Sequence, residues 1–225
     1  VHIKSAFLTS ITGVAHGFGS LSEEVALDLK SVWAETHASW KQVHGTSCVQ
    51  IDAPHLKGLE GDIFWTNQPR LAVAVVTADC VPILLARRDG RAVAAIHAGW
   101  RGTQALASAR FFEEIAKHGE SPVEWVAAIG PSIGPCCYEV SEELAADFKR
   151  EFSGIADQAV PRFRHLDLPL INELELKRLG VAQVELIRAC TRCSVSAAGE
   201  PLFHSYRREG GGTRQYSVIY RGVAG

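Results

Sequence analysis

The sequence predicts an α+β fold, a layered sandwich of mixed β-sheets flanked by helices. Two observations point there. Apolar runs of strand length crowd the middle of the chain, and segments bounded by helix start and stop residues are mixed among them. No regular strand–helix–strand beat appears, which argues against a doubly wound sheet. No internal repeat, low-complexity tract or linker interrupts the 225 residues. A single catalytic domain spanning 1–225 is therefore expected.

In chain order, residues 6–8 and 14–18 read as a short hairpin or two strands. Ser22 is placed to N-cap a helix from Glu23 toward His37, with Glu23, Glu24 and Asp28 early and His37 late, as the helix dipole favours. Residues 40–43, 46–51, 71–77, 81–86 and 91–96 are β-branched or apolar runs of strand length. Asp89-Gly90 is a hairpin turn between the last two. Residues 71–77 and 81–86 are almost continuously apolar, as strands covered on both faces are. A helix is expected after Gly102, with Thr103 as N-cap, running to about Lys117 before Gly119. A strand at 123–129 then leads into the turn-rich Gly130-Pro131-Ser132-Ile133-Gly134-Pro135. Ser141 opens a helix to about Phe152, and residues 172–179 form another, stopped by Gly180. Strands at 184–189 and 216–220 close the chain.

Composition narrows the function. The formal net charge is −2, with 47% hydrophobic and 21% charged residues, an ordinary balance for a globular protein. This charge gives no electrostatic reason to expect nucleic acid or an anionic membrane as partner. No apolar run approaches the roughly 20 residues that span a bilayer. Val1-His2-Ile3-Lys4 shows no secretory signal, so the cytosol is the expected compartment. A small-molecule substrate is the expected partner, and no protein partner is inferred. The six cysteines, at 48, 80, 136, 137, 190 and 193, sit in a chain too large and apolar to need a disulfide framework.

Three of the polar residues share a context. His44 ends the run Trp40-Lys41-Gln42-Val43, Cys80 follows Val75-Val76-Thr77-Ala78-Asp79, and His97 follows Ala92-Val93-Ala94-Ala95-Ile96. Each stands where an apolar strand runs out, where side chains of neighbouring strands converge. One Cys and two His match the ligand preference of zinc, and three protein ligands leave a fourth position for water or substrate. On pattern alone the competing reading is burial, since Cys and strand-end His residues are common in cores. After His97, the stretch Ala98-Gly99-Trp100-Arg101-Gly102-Thr103 puts an arginine between two glycines at a helix start. Exposed N–H groups, the helix dipole and a guanidinium there suit an anion such as phosphate. The competing reading of Arg101 is a surface ion pair. Asp79 is a second candidate for substrate or phosphate binding, as an orienting group or base. Asp62 is a candidate for the same orienting or basic role; a turn residue is the competing reading of both, and it is preferred for Asp62.

Lys41-Gln42-Val43-His44-Gly45, Thr77-Ala78-Asp79-Cys80-Val81-Pro82 and His97-Ala98-Gly99-Trp100-Arg101-Gly102 resemble the multicopper-polyphenol-oxidase-like, laccase-domain family. The likeness continues through Ile129-Gly130-Pro131-Ser132-Ile133-Gly134-Pro135-Cys136-Cys137-Tyr138-Glu139-Val140, Cys190-Thr191-Arg192-Cys193 and Ser205-Tyr206-Arg207-Arg208-Glu209-Gly210. It spans nearly the whole chain in order. The family name is historical; its members are described as purine nucleoside phosphorylases and include the bacterial peptidoglycan editing factor. The resemblance implies that His44, Cys80 and His97 are catalytic ligands of zinc. It also implies a layered α+β fold distantly similar to a toxin deamidase domain. The implied activity is phosphorolysis of adenosine, inosine or methylthioadenosine, with deamination of adenosine also described among related members. The alternative is hydrolysis of a misplaced amino acid from a peptidoglycan precursor. Copper-dependent polyphenol oxidation is the weaker alternative, because a multi-histidine cluster to reduce oxygen is not evident. One departure stands out: family members usually follow His-Gly-Phe with Thr-Arg-x-Gly-Gly, whereas His16-Gly17-Phe18 here leads directly into Gly19-Ser20-Leu21.

Three other signals carry less. His118-Gly119-Glu120 with Pro135-Cys136 lacks the second cysteine of a nucleobase-deaminase signature, because position 139 is Glu. His118 is better read as a helix C-terminal residue. Cys190-x-x-Cys193 reads as a redox pair, as half of a structural zinc site with Cys136 and Cys137, or as packing near the active site, the last being preferred. Gly210-Gly211-Gly212-Thr213 lacks the frame of a phosphate loop and fits a flexible hairpin loop.

Overall fold

Alternation of side chains along the strands sorts the apolar residues into three cores, and these set the layers. The computed structural model describes residues 3–223. The ends of the expected 1–225 domain, and the Val1-His2 part of the signal-sequence reading, lie outside the described residues. The strands are β1 (Val14–Phe18), β2 (Trp40–Lys41), β3 (Cys48–Gln50), β4 (Leu59–Glu60), β5 (Ile63–Thr66) and β6 (Leu71–Thr77). They continue as β7 (Val81–Arg87), β8 (Val93–Ala98), β9 (Trp125–Ile129), β10 (Gln183–Leu186) and β11 (Gln215–Arg221).

The larger sheet has the order β10-β9-β7-β8-β5-β3. Its outer pairs β10/β9 and β5/β3 are parallel and its inner pairs antiparallel. A three-stranded antiparallel sheet, β1-β11-β6, packs on it, and β2 and β4 form a small parallel pair. In β7, Ile83 and Leu85 face a core with Phe111, Ile115, Phe148 and Ile171 from the helices. Leu84 and Ala86 face the opposite core, with Val73, Val75 and Ile219 of the smaller sheet. The outer face of that sheet, Ala72, Ala74 and Val218, is covered by Val25, Ala26, Leu29 and Trp33. The result is a helix–sheet–sheet–helix sandwich, the α+β layering expected from the sequence. The apolar runs at 71–77 and 81–86 are covered on both faces for this reason.

Several local expectations need correction. Residues 6–8 are not a strand: Ala6–Thr9 is a short helix, because the Ser5 hydroxyl accepts the Leu8 N–H. The helix expected from Glu23 begins only with Leu27–Leu29 and Lys30–Thr36. The Glu24 carbonyl is taken by the Tyr216 N–H and that of Glu23 by Ser20, so neither is free to start a helical ladder. Thr103 is no N-cap. It lies inside the helix Trp100–Gln104, whose N-cap is Gly99, and its hydroxyl accepts a hydrogen bond from Asn172. A left-handed Leu106 then separates that helix from Ala107–Ala116. Asn172 is likewise interior to a longer helix, Leu168–Leu179, capped by the Asp167 side chain and ended by left-handed Gly180. The glycine-rich segment follows a short helix, Tyr206–Glu209, and Gly210, Gly211 and Gly212 all have positive φ. No helix of the described residues is long and apolar enough to cross a membrane.

Candidate metal centre

A loop, a crossing between sheets and the end of a strand converge at one end of the sandwich. β6 belongs to the smaller sheet and β7 to the larger one, so residues 78–80 carry the chain from one sheet to the other and leave Cys80 at the seam. Register does the rest. Val81 pairs with Ala98 and Pro82 with His97, which sets Cys80 opposite Gly99 at the end of β8. On the other side of β8, Ile63 pairs with Ile96, which brings Asp62 beside His97. His44 reaches the same place from the loop between β2 and β3, in the left-handed region at φ 61.

One ligand atom each from His44, Cys80 and His97 lies within 4.8 Å of the other two, and the two imidazole rings are 4.9 Å apart. Asp62 holds this arrangement. Its side chain is fully buried. One oxygen accepts from His97 Nδ1 at 2.8 Å and from the His44 N–H at 3.0 Å. The other accepts the Gly45 N–H at 2.8 Å and the Val43 N–H at 3.2 Å. The preferred reading of Asp62 as a turn residue therefore gives way to the other, an orienting group: it holds one histidine by its ring and the other by its backbone. With Nδ1 engaged, His97 presents Nε2 to the sulfur, which is how a metal-bound histidine is commonly fixed.

Electrostatics favour the ligand form at Cys80, whereas His97 would give up its ring proton on binding a metal. Burial pushes the Cys80 thiol up, but hydrogen bonding with His44 and His97 outweighs it and draws its pKa down to about 6. Burial alone lowers His97, yet Asp62 and Cys80 hold it up at about 9. Burial also raises Asp62, and the bonds from His97, Gly45 and Val43 reverse that and keep it a carboxylate. Thiolate is the form that ligates metal. A cradle is present too: a Cβ on Gly99 would stand 3.0 Å from Cys80 Sγ and 3.4 Å from His44 Cδ2, so only glycine leaves the sulfur its room. Two imidazoles, one thiolate and this space fit a three-ligand zinc ion with an open fourth position.

Around the trio, Asp79 is buried at φ 92. Its oxygens accept from the Thr191 hydroxyl at 2.6 Å and the Arg207 N–H at 2.7 Å, so both are engaged in joining loops. Arg101 is exposed and lies 4.4 Å over the Trp100 ring. Sequence reasoning missed Tyr138 and Arg207. Burial, with the negative charge of Cys80, pushes the Tyr138 hydroxyl up to about 12, while Arg207 and Arg101 oppose the rise. The Arg207 guanidinium lies 5.4 Å from the Tyr138 ring. The motif Ser205-Tyr206-Arg207-Arg208 was the available signal. A cavity of about 160 Å³ opens elsewhere, lined by Ser132, Gly134, Cys136, Asp167, Arg188 and Cys190. None of the trio lines it.

Fold and site together define an α+β protein with two histidines and a cysteine, a set that could hold a metal ion, gathered at the seam of two sheets. The chain belongs to the family described as multi-copper polyphenol oxidoreductase laccase, whose pattern matches residues 19–222. It is 37% identical to the purine nucleoside phosphorylase of Deinococcus radiodurans over 189 residues, 83% of this chain and 70% of the relative. It is 34% identical to adenosine deaminase RL5, from an unknown prokaryotic organism, over 171 residues, 72% of this chain and 63% of that protein. The crystal structure of the Bacillus licheniformis hypothetical protein YfiH shares the fold at a TM-score of 0.75 and 25% identity, covering 92% of each chain.

Proposed function

We propose that this chain is a zinc-dependent purine nucleoside phosphorylase, built as one catalytic domain and acting on adenosine, inosine or methylthioadenosine. The observation that carries the reading is the convergence of His44, Cys80 and His97 around the Gly99 cradle, in a chain 37% identical to a relative named for that activity. His44, Cys80 and His97 hold the metal and Asp62 fixes the two histidines. When bound, zinc supplies Lewis-acid polarisation of an oxygen at the open position. Arg101 and Arg207 bind and orient phosphate from the side of Tyr138, and the Tyr138 ring offers a face for the substrate. In the reaction a phosphate oxygen bonds to the ribose anomeric carbon, the carbon–nitrogen bond breaks, and the base leaves with a proton. Ribose 1-phosphate, or its methylthio counterpart from methylthioadenosine, is the second product.

Zinc is preferred to copper on donor chemistry. Among the described residues no ligand group holds more than two histidines, and oxygen reduction at copper needs a larger set. The likeness to an adenosine deaminase favours a second reaction at the same centre, in which water adds to the purine and ammonia leaves. The test uses zinc-loaded protein with inosine and with adenosine, with and without phosphate. Hypoxanthine release from inosine only when phosphate is present supports phosphorolysis. No base release under either condition sinks it. Phosphate-independent conversion of adenosine to inosine reads out the second reaction. A peptidoglycan-precursor arm in the same panel tests the hydrolase alternative.

A further inference from the structure

Away from the trio, Cys136, Cys137, Cys190 and Cys193 bring four sulfur atoms within 4.8 Å of one another. They come from two turns far apart in sequence. In the first, the N–H groups of Cys137 and Tyr138 both bond to the Gly134 carbonyl at 2.9 Å. In the second, the Ser194 N–H bonds to the Cys190 carbonyl at 2.9 Å. A parallel bridge between Ser132 and Cys190 joins the turns. The Gly134 N–H then points at Cys190 Sγ, 3.4 Å away, and Cys136 Sγ lies 3.6 Å from Cys193 Sγ.

That spacing suits one central ion. Zinc–sulfur bonds of about 2.3 Å in a tetrahedron set the sulfurs about 3.8 Å apart. Disulfides need sulfurs only in pairs, at about 2.05 Å, and give no reason for four to meet at one point; all six cysteines here are free thiols. Four thiolates around a divalent ion carry net negative charge, and the surroundings answer it. Arg162 donates to the carbonyls of Pro135 and Cys136, at 3.2 and 3.0 Å. Arg208 donates to those of Thr191 and Arg192, both at 3.1 Å. Each turn is thus gripped by a guanidinium.

We propose that Cys136, Cys137, Cys190 and Cys193 form a second, structural metal site that takes a thiophilic divalent cation, zinc, in a closed four-thiolate shell. Binding exchanges thiol protons for the ion, so up to four protons are released per site and no oxidant is needed. The site clamps the turn at 190–194 onto the turn at 134–137. Thr191, inside the turn at 190–194, donates to Asp79, the neighbour of Cys80, and Tyr138 directly follows Cys137. The clamp therefore fixes two loops that border the trio. Packing, the reading preferred from the sequence alone, does not account for four-way convergence of partly exposed sulfurs.

Elemental analysis of zinc-loaded, reduced protein tests this directly. Wild type is expected to hold two zinc ions per chain, C136S/C193S one, and H44A/C80A one. Cobalt(II) bound to H44A/C80A is expected to give intense thiolate charge-transfer absorption, which a further Cys190→Ser change removes. Should H44A/C80A fail to fold, alkylation of wild type keeps the test open, because zinc is expected to shield all four cluster thiols. Equal zinc content in wild type and C136S/C193S, cluster thiols alkylated at equal rates with and without zinc, or disulfide-linked cluster peptides in reduced, zinc-loaded protein would each overturn the proposal. None of these readouts depends on nucleoside turnover, so failure of the phosphorylase reading leaves them standing.

Discussion

Asp62 gathers three backbone N–H groups and one imidazole on a single buried carboxylate. Replacing it with Asn keeps the volume but removes the charge and turns one oxygen into an NH₂ group facing N–H donors. D62N is expected to lower zinc affinity at the trio by about 10–100-fold while the fold persists. Competition with a chromophoric chelator measures this, and wild-type affinity in D62N would show that the carboxylate does not position the ligands. Gly99→Ala tests the cradle independently: its methyl would meet Cys80 Sγ at 3.0 Å, so affinity is expected to fall although no ligand is changed. The sequence displayed His44, Cys80 and His97, since each ends an apolar run inside a specific motif. It offered Asp62 only as the lesser of two readings, because that role arises from the register of β5 on β8, and it did not display the left-handed backbone at His44 and Asp79. Non-glycine residues rarely adopt that conformation, and no neighbouring residue announces it.

At the scale of elements, capping residues told the truth only where the backbone was otherwise free. Ser141 caps Glu142–Glu151 as expected, its hydroxyl accepting the Leu144 N–H. Ser22 fails because β11 claims the Glu24 carbonyl. β5 escaped notice because three apolar residues and a threonine between Asp62 and Asn67 are too few to show a period. The helix Leu168–Leu179 carries a titration of its own. Glu175 is buried on it, with one oxygen accepting the Ala109 N–H and the other unpartnered. Burial pushes its pKa from 4.5 up to about 7, against the weaker pull of Ala109 and Arg178. Between those two values the native protein holds a proton that the unfolded chain has released. Stability from this group is therefore full below pH 4.5 and falls as pH rises through 7. Glu175→Gln keeps an acceptor for Ala109 and removes the titration. It is expected to raise stability at pH 8 by roughly 1–3 kcal/mol and to change little at pH 4.5. Urea unfolding at both values checks this; equal stability of the two proteins at pH 8 removes Glu175 as the source.

At the scale of the molecule, the layering was legible and the strand order was not. Two almost wholly apolar runs demand cover on both faces, which a sandwich supplies. Nothing in Ala78-Asp79-Cys80 says that the chain changes sheets there, yet that crossing creates the seam where the trio meets. The consequence is mechanical. His44, Cys80 and His97 come from the β2–β3 loop, the crossing between sheets and β8, so an ion held by all three ties segments that the unfolded chain leaves far apart. Ligand that binds only the folded state adds RT ln(1 + [L]/Kd), about 2.7 kcal/mol at a hundred times Kd. A chain of this size gains about 2–4 °C in Tm per kcal/mol, so saturating the trio is expected to raise Tm by roughly 5–10 °C over chelator-treated protein. With a second closed site the full rise in wild type is larger, and H44A/C80A and C136S/C193S each keep only part of it. Thermal melts of the three proteins, in zinc and in chelator, separate the contributions. A zinc-induced shift in H44A/C80A as large as that in wild type would show that the trio does not bind the ion in the folded state, and the zinc-dependent reading of the centre would fall with it.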